Sequence, residues 1–341
     1  MKALVKTQRG EHRPSYMDVP EPQIGSNELK IKVHAGGLCA SDLHILHDAY
    51  PCRPPVTMGH EFSGIVTEAG SGVLDFAPGD RVVSLTAIST CEHCEFCYSG
   101  LRMLCQERLS IGSGLDGGFA EYIKIPANMA FHIPDNVSLD AAVLCEPLAC
   151  AVRGVIERTT IRGGDMVLIS GAGIIGQLCA QLARICGGIV TVAGTNADWE
   201  RLKLAKKLGA YATINIEAEN FTEAVKRLTK GHGFDVSLEC AGAPQSADNC
   251  LKALRKTGNF TQIGLFGKPA AFDFDLALLK EVNISNSYAS ERTSWERALR
   301  LLEYGMVDVE SLVGSRIKLK NWKEGLRRLE DKLDFKVLLV P

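Results

Sequence analysis

The stretch Met166-Val167-Leu168-Ile169-Ser170-Gly171-Ala172-Gly173-Ile174-Ile175-Gly176 decides the fold. An apolar run ends in three glycines at the spacing G-x-G-x-x-G, and a helical stretch continues to Cys186. Glycines so placed allow a tight turn, let a pyrophosphate approach backbone N–H groups, and let a helix pack closely on the preceding strand. Alone the motif is weak. A second apolar run, Ile189-Val190-Thr191-Val192-Ala193, follows at the right distance, so the segment predicts a unit that binds a dinucleotide through Gly171, Gly173, Ile174, Ile175 and Gly176.

Working outward, apolar runs and helical stretches keep alternating at 201–208, 212–216, 221–229, 234–238, 247–254, 260–263 and 282–285. That alternation predicts an α/β domain with a doubly wound parallel sheet over 151–288. The first 150 residues read differently. Turn formers (Pro20, Pro22, Gly36-Gly37, Pro54-Pro55, Pro78-Gly79-Asp80) separate short β-branched runs at 29–33 and 81–84, which predicts irregular, strand-rich structure. Helices are expected at about 294–304 and 322–331, then a strand at 336–340. That strand can return to the sheet of the first domain, making it discontinuous: 1–150 with 289–341.

A length of 341 residues fits roughly two domains. The net charge of −2 gives no electrostatic case for nucleic acid or an anionic membrane, so a small-molecule substrate fits better. No window approaches the roughly 18 apolar residues of a membrane span, and the N-terminus lacks the apolar stretch of a signal peptide, so a cytoplasmic location is expected. In a reducing compartment the 12 cysteines do not imply disulfides.

Cys91, Cys94, Cys97 and Cys105 have the spacing C-x2-C-x2-C-x7-C. Four soft anionic ligands on short loops suit a closed tetrahedral zinc that stabilises a lobe near 88–108. An iron–sulfur cluster uses similar spacing, and His93 competes as a ligand. Further ligand-type side chains stand at Cys39, His60, Glu61 and Glu146. A catalytic zinc needs about three protein ligands and one open position, which Cys39, His60 and Glu61 can supply, with Glu146 as alternate carboxylate.

The turn Gly194-Thr195-Asn196 ends the second apolar run, where an NAD site would carry an acidic residue against the ribose hydroxyls. These three residues carry no carboxylate, and Arg201 follows shortly after. A small neutral turn with an arginine can receive a 2′-phosphate, so this reading favours NADP over NAD.

Taken in order, Gly37-Leu38-Cys39-Ala40-Ser41-Asp42-Leu43-His44, Gly59-His60-Glu61-Phe62-Ser63-Gly64, Pro78-Gly79-Asp80-Arg81-Val82, the four cysteines, Gly117-Gly118-Phe119-Ala120-Glu121-Tyr122, Glu146-Pro147-Leu148 and the glycine loop form one pattern. It resembles, over almost the whole chain, the zinc-dependent medium-chain dehydrogenase/reductase superfamily, in particular its polyol (sorbitol/L-iditol, sugar-alcohol phosphate) and threonine dehydrogenase branch. The resemblance implies a GroES-like catalytic domain and a Rossmann domain with the active site in the cleft, assembled as a homodimer or homotetramer. It implies two zinc ions per subunit: a catalytic one at Cys39, His60 and Glu61 with Glu146 beside it or exchanging, and a structural one on Cys91, Cys94, Cys97 and Cys105. Ser41 resembles the proton-relay hydroxyl, His44 a later relay member, and Asp42 the carboxylate that orients His60. The activity implied is hydride transfer from a secondary alcohol of a polyol, sugar-alcohol phosphate or vicinal diol to NAD(P)+. L-threonine 3-dehydrogenase and a zinc-free quinone or enone reductase are the alternatives. The run Ala149-Cys150-Ala151-Val152-Arg153 departs from the threonine-dehydrogenase pattern and weakens that alternative.

Overall fold

The computed structural model describes residues 1–10 and 14–341. The chain divides into two compact units, Met1–Glu146 with Ser290–Gly305 and Val309–Pro341, and Pro147–Ala289 with Met306–Asp308.

In the second unit six parallel strands follow the spatial order Ala212–Asn215, Ile189–Gly194, Met166–Ser170, Phe234–Glu239, Leu254–Gln262, Asn283–Asn286. Numbered along the chain this is 3-2-1-4-5-6, the Rossmann order, which places a switch point beside the glycine loop. The central strands are nearly continuous apolar runs, as a sheet covered on both faces requires, with Val167, Leu168 and Ile169 fully buried. One expectation shifts: the fifth strand begins at Leu254, not near Phe260. Its polar start follows a register shift and includes Thr257 at φ 59°, so apolarity alone does not mark it as strand.

The first unit is β-rich. A seven-stranded sheet runs Val313–Lys318, Lys336–Val340, Glu28–Gly37, Glu61–Ala69, Arg81–Ser84, Ala130–His132, with Tyr122–Pro126 also pairing onto Glu28–Gly37. Alternate residues Leu29, Ile31 and Val33 enter the core with Phe62, Val66 and Ile123, the period of two expected of a strand. Lys336–Val340 pairs antiparallel with Glu28–Gly37 through Leu338↔Gly37 and Leu339↔Gly36. The far end of the sequence thus lies one strand from Glu61, which itself pairs with Gly37.

Candidate metal centre and coenzyme loop

Cys39 caps the helix Ala40–Leu46, which also carries Ser41, Asp42 and His44. His60 lies just before the strand Glu61–Ala69. Gly59 precedes it at φ +93°, and a Cβ there would lie 2.5 Å from the Phe119 ring, so only glycine brings the chain into His60 this way. Phe119 is buried in the core.

The ligand atoms of Cys39, His60 and Glu61 lie within 4.8 Å of one another. Glu146 falls outside that set, but it is buried and its charge acts on Glu61 and Lys336. Asp42, fully buried, accepts from the Cys39 N–H at 2.9 Å with Oδ2, while Oδ1 stands 3.5 Å from His60 Nδ1. That Oδ1 has no hydrogen-bond partner within normal distance. A buried carboxylate oxygen aimed at one imidazole nitrogen holds the other toward the ligand cluster, as metal-ligating histidines require. Ser41 Oγ sits 3.3 Å from His60 Nε2, and His44 follows one turn along the same helix face. Burial pushes His60 down, yet the Asp42 carboxylate and Cys39 outweigh it and hold the imidazole well above its ordinary value.

Sequence reading missed one partner. Lys336 Nζ, fully buried, donates to both oxygens of Glu61 at 2.7 Å and to Leu38 O at 3.1 Å. Burial pushes Glu61 up to about 7 while the Lys336 ammonium pulls it down. Glu61 is therefore anchored by a cation from the last strand as well as placed beside Cys39 and His60. A lysine in an otherwise apolar strand was the one available signal.

In the cysteine lobe the Sγ–Sγ separations are 3.5 Å for Cys94–Cys97, 3.6 Å for Cys105–Cys91 and 3.8 Å for Cys91–Cys97. A zinc tetrahedron with about 2.3 Å bonds has edges of about 3.8 Å, whereas a disulfide would bring two sulfurs to about 2.05 Å. All 12 cysteines are free thiols. Hydrogen bonding from Thr90 leads the causes that hold the Cys97 thiol below its ordinary value, with hydrogen bonds from Cys94 and Cys105 adding to it. A bidentate Arg102–Glu92 pair, 2.7 and 2.6 Å, braces the loop.

The glycine loop is built for close approach. A Cβ on Gly176 would lie 1.8 Å from Gly171 O, and one on Gly171, at φ +108°, would lie 2.6 Å from Ala241 N. Gly173, the N-cap of Ile174–Ile185, has open space where its side chain would be, so the N–H groups of Ile174 and Ile175 face a cradle fit for pyrophosphate. Gln177, fully buried, ties this loop to the next helix by donating to Ala172 O at 3.1 Å and Arg201 O at 2.7 Å. The coenzyme turn is less neutral than its sequence. Arg201 Nη1 lies 3.3 Å from Asp198 Oδ1, and Asp198 Oδ2 also accepts from Thr195 N and Oγ1. Glu217 Oε2 accepts from the Asn196 N–H at 2.7 Å. Two carboxylates, Asp198 and Glu217, thus stand beside the neutral turn Gly194-Thr195-Asn196, and Arg201 is paired with the first of them.

A Rossmann sheet with its glycine cradle, and a β-rich unit that gathers Cys39, His60 and Glu61, define a nicotinamide-dependent, metal-binding oxidoreductase. Residues 175–304 match the zinc-binding dehydrogenase family and residues 25–135 the alcohol dehydrogenase GroES-like domain. The chain is 40% identical to a sorbitol dehydrogenase of Halalkalibacterium halodurans, covering 100% of this chain and 99% of that one. It is 31% identical to a D-arabitol-phosphate dehydrogenase of Enterococcus avium, over 99% and 97%. A candidate zinc-binding dehydrogenase of Sinorhizobium meliloti 1021, solved bound to NADP, superposes with a TM-score of 0.90 at 33% identity, over 100% and 99%. The chain belongs to the zinc-dependent medium-chain dehydrogenase/reductase family and is an NAD(P)-dependent alcohol dehydrogenase acting on small molecules. Among the described residues no helix is long and apolar enough to cross a membrane.

Proposed function

We propose that the enzyme oxidises a secondary alcohol of a polyol, sugar-alcohol phosphate or vicinal diol, with one zinc at Cys39, His60 and Glu61 and a second on Cys91, Cys94, Cys97 and Cys105. The observation that carries this reading is the convergence of three metal-type donors with Ser41 Oγ 3.3 Å from His60 Nε2. Zinc held by Cys39, His60 and Glu61 would supply Lewis acidity toward an alcohol oxygen, and a nicotinamide coenzyme held at the glycine loop would supply the hydride acceptor. The rest falls to side chains. Asp42 fixes the His60 tautomer, Glu146 and the Lys336-anchored Glu61 set the local charge, and Ser41 takes the hydroxyl proton and passes it toward His44. Loss of that proton and of a hydride from the same carbinol leaves a ketone.

Twelve free thiols support a reducing, cytoplasmic setting. Asn283–Asn286 is an outer strand, and Phe274, Leu278 and Leu279 stand 61%, 72% and 75% exposed, which supports a homodimer or homotetramer using that side. The test pairs metal analysis with a panel of polyols, sugar-alcohol phosphates, vicinal diols and L-threonine, each scored by nicotinamide absorbance. Two zinc equivalents and oxidation of a polyol or diol are expected; zinc-free protein, or oxidation of threonine alone, would overturn the reading. Ser41→Ala should lower kcat by about a hundredfold with both metals retained, and unchanged turnover would remove Ser41 from the relay.

A further inference from the structure

We propose that Glu217 sets coenzyme choice, holding a carboxylate where the adenosine ribose docks and so selecting NAD over NADP; this rests on the dehydrogenase reading above. In a Rossmann sheet the ribose hydroxyls meet the end of the second strand, about twenty residues beyond the glycines. That position is Asn196, directly past Ile189–Gly194, and its side chain cannot act as an anionic acceptor. The neighbouring strand supplies what is missing. Ala212–Asn215 runs parallel to Ile189–Gly194 with Gly194 opposite Asn215, so both chains emerge at the same end of the sheet.

There Asn196, Asn215 and Glu217 close a ring of hydrogen bonds. Glu217 Oε2 accepts from Asn196 N–H at 2.7 Å, Asn215 Nδ2 donates to Asn196 Oδ1 at 2.8 Å, and Glu217 N–H donates to Asn215 Oδ1 at 3.1 Å. The ring pins the carboxylate, and one amide uses only part of its acceptor capacity. Its remaining lone pairs suit the 2′- and 3′-hydroxyls of NAD. A 2′-phosphate would meet the opposite conditions. It carries up to roughly two negative charges, the Asn196 amide it would seek is already bound to Glu217, and Arg201 already faces Asp198. Asp198 is held in turn by Thr195.

NADH and NADPH affinities, read by nicotinamide fluorescence without substrate, test this in wild type, Glu217→Gln and Asn215→Ala. Glu217→Gln keeps an acceptor for the Asn196 amide at an exposed position, so the fold should be retained. Wild type should bind NADH at least about tenfold more tightly than NADPH, and Glu217→Gln should narrow that ratio about tenfold, weakening NADH while strengthening NADPH. Asn215→Ala, which releases the Glu217 main chain and the Asn196 side chain without changing charge, should narrow it less. Equal or tighter NADPH binding by wild type, or equal loss for both coenzymes in Glu217→Gln, would overturn the role of Glu217 alone. Binding of neither coenzyme would overturn the dehydrogenase reading together with it.

Discussion

The four sulfurs of the 91–105 lobe come from one short segment, whereas Cys39, His60 and Glu61 come from a helix cap, a loop and a strand start that the β-rich unit folds together. The lobe closes on itself: its loops are braced by Arg102–Glu92, and its sulfurs span tetrahedral edges. The second set depends on residues distant in sequence, above all Lys336. A set of donors supplied by one loop can be closed around a metal for stability. Donors supplied by separate elements can be aimed, with a position left for a substrate oxygen, because Asp42 and Lys336 hold two of them from behind.

If that contrast is right, losing one sulfur in each region should give crossed effects. Cys39→Ser should remove one zinc equivalent and lower kcat/KM by roughly a thousandfold or more, with little change in thermal midpoint. Cys97→Ser should also remove one equivalent but lower the midpoint by about 10 °C, leaving turnover per folded molecule within about twofold. Metal analysis, calorimetry and steady-state kinetics on both variants check the pair. Equal loss of activity in both would collapse the distinction.

Lys336→Met sharpens the comparison by testing how far the aimed set depends on the last strand. In the metal-free protein, removing one member of a fully buried pair leaves an unpaired carboxylate and should cost about 3–5 kcal/mol in denaturant unfolding. Adding Glu61→Gln should recover much of it, since the uncompensated charge is gone. A single variant as stable as wild type would mean that Lys336 is not what holds Glu61.

The same contrast explains what could be read from residues alone. The lobe was legible because its ligands are local, and the glycine loop because 166–176 carries strand, turn and helix in one stretch. Cys39, His60 and Glu61 were legible only through the ordered family motifs around them, each being weak alone. Lys336 was not: the return of 336–340 to the first domain's sheet was expected, but the residues do not give its register beside Gly36 and Gly37, the step that brings its ammonium to Glu61. Glu217 was hidden for the same reason. Its carboxylate reaches Asn196 through the register of two parallel strands, and the neutral reading of Gly194-Thr195-Asn196 looked only along the chain.

The smallest expected effect is the most discriminating. Asp42→Asn keeps volume and can still accept from the Cys39 N–H, so the helix cap should survive. It removes the charge facing His60 Nδ1 and lets an amide N–H present itself there instead, which would favour the wrong imidazole tautomer. Zinc affinity at the Cys39 site should fall about 10–100-fold while the cysteine lobe keeps its metal, and added zinc should restore part of the activity. A titration with a competing chelator reads both sites separately. If the two metals leave together, Asp42 acts on the fold of the whole unit; if only one weakens, the carboxylate orients His60, and the aimed set differs from the closed one in the way its construction implies.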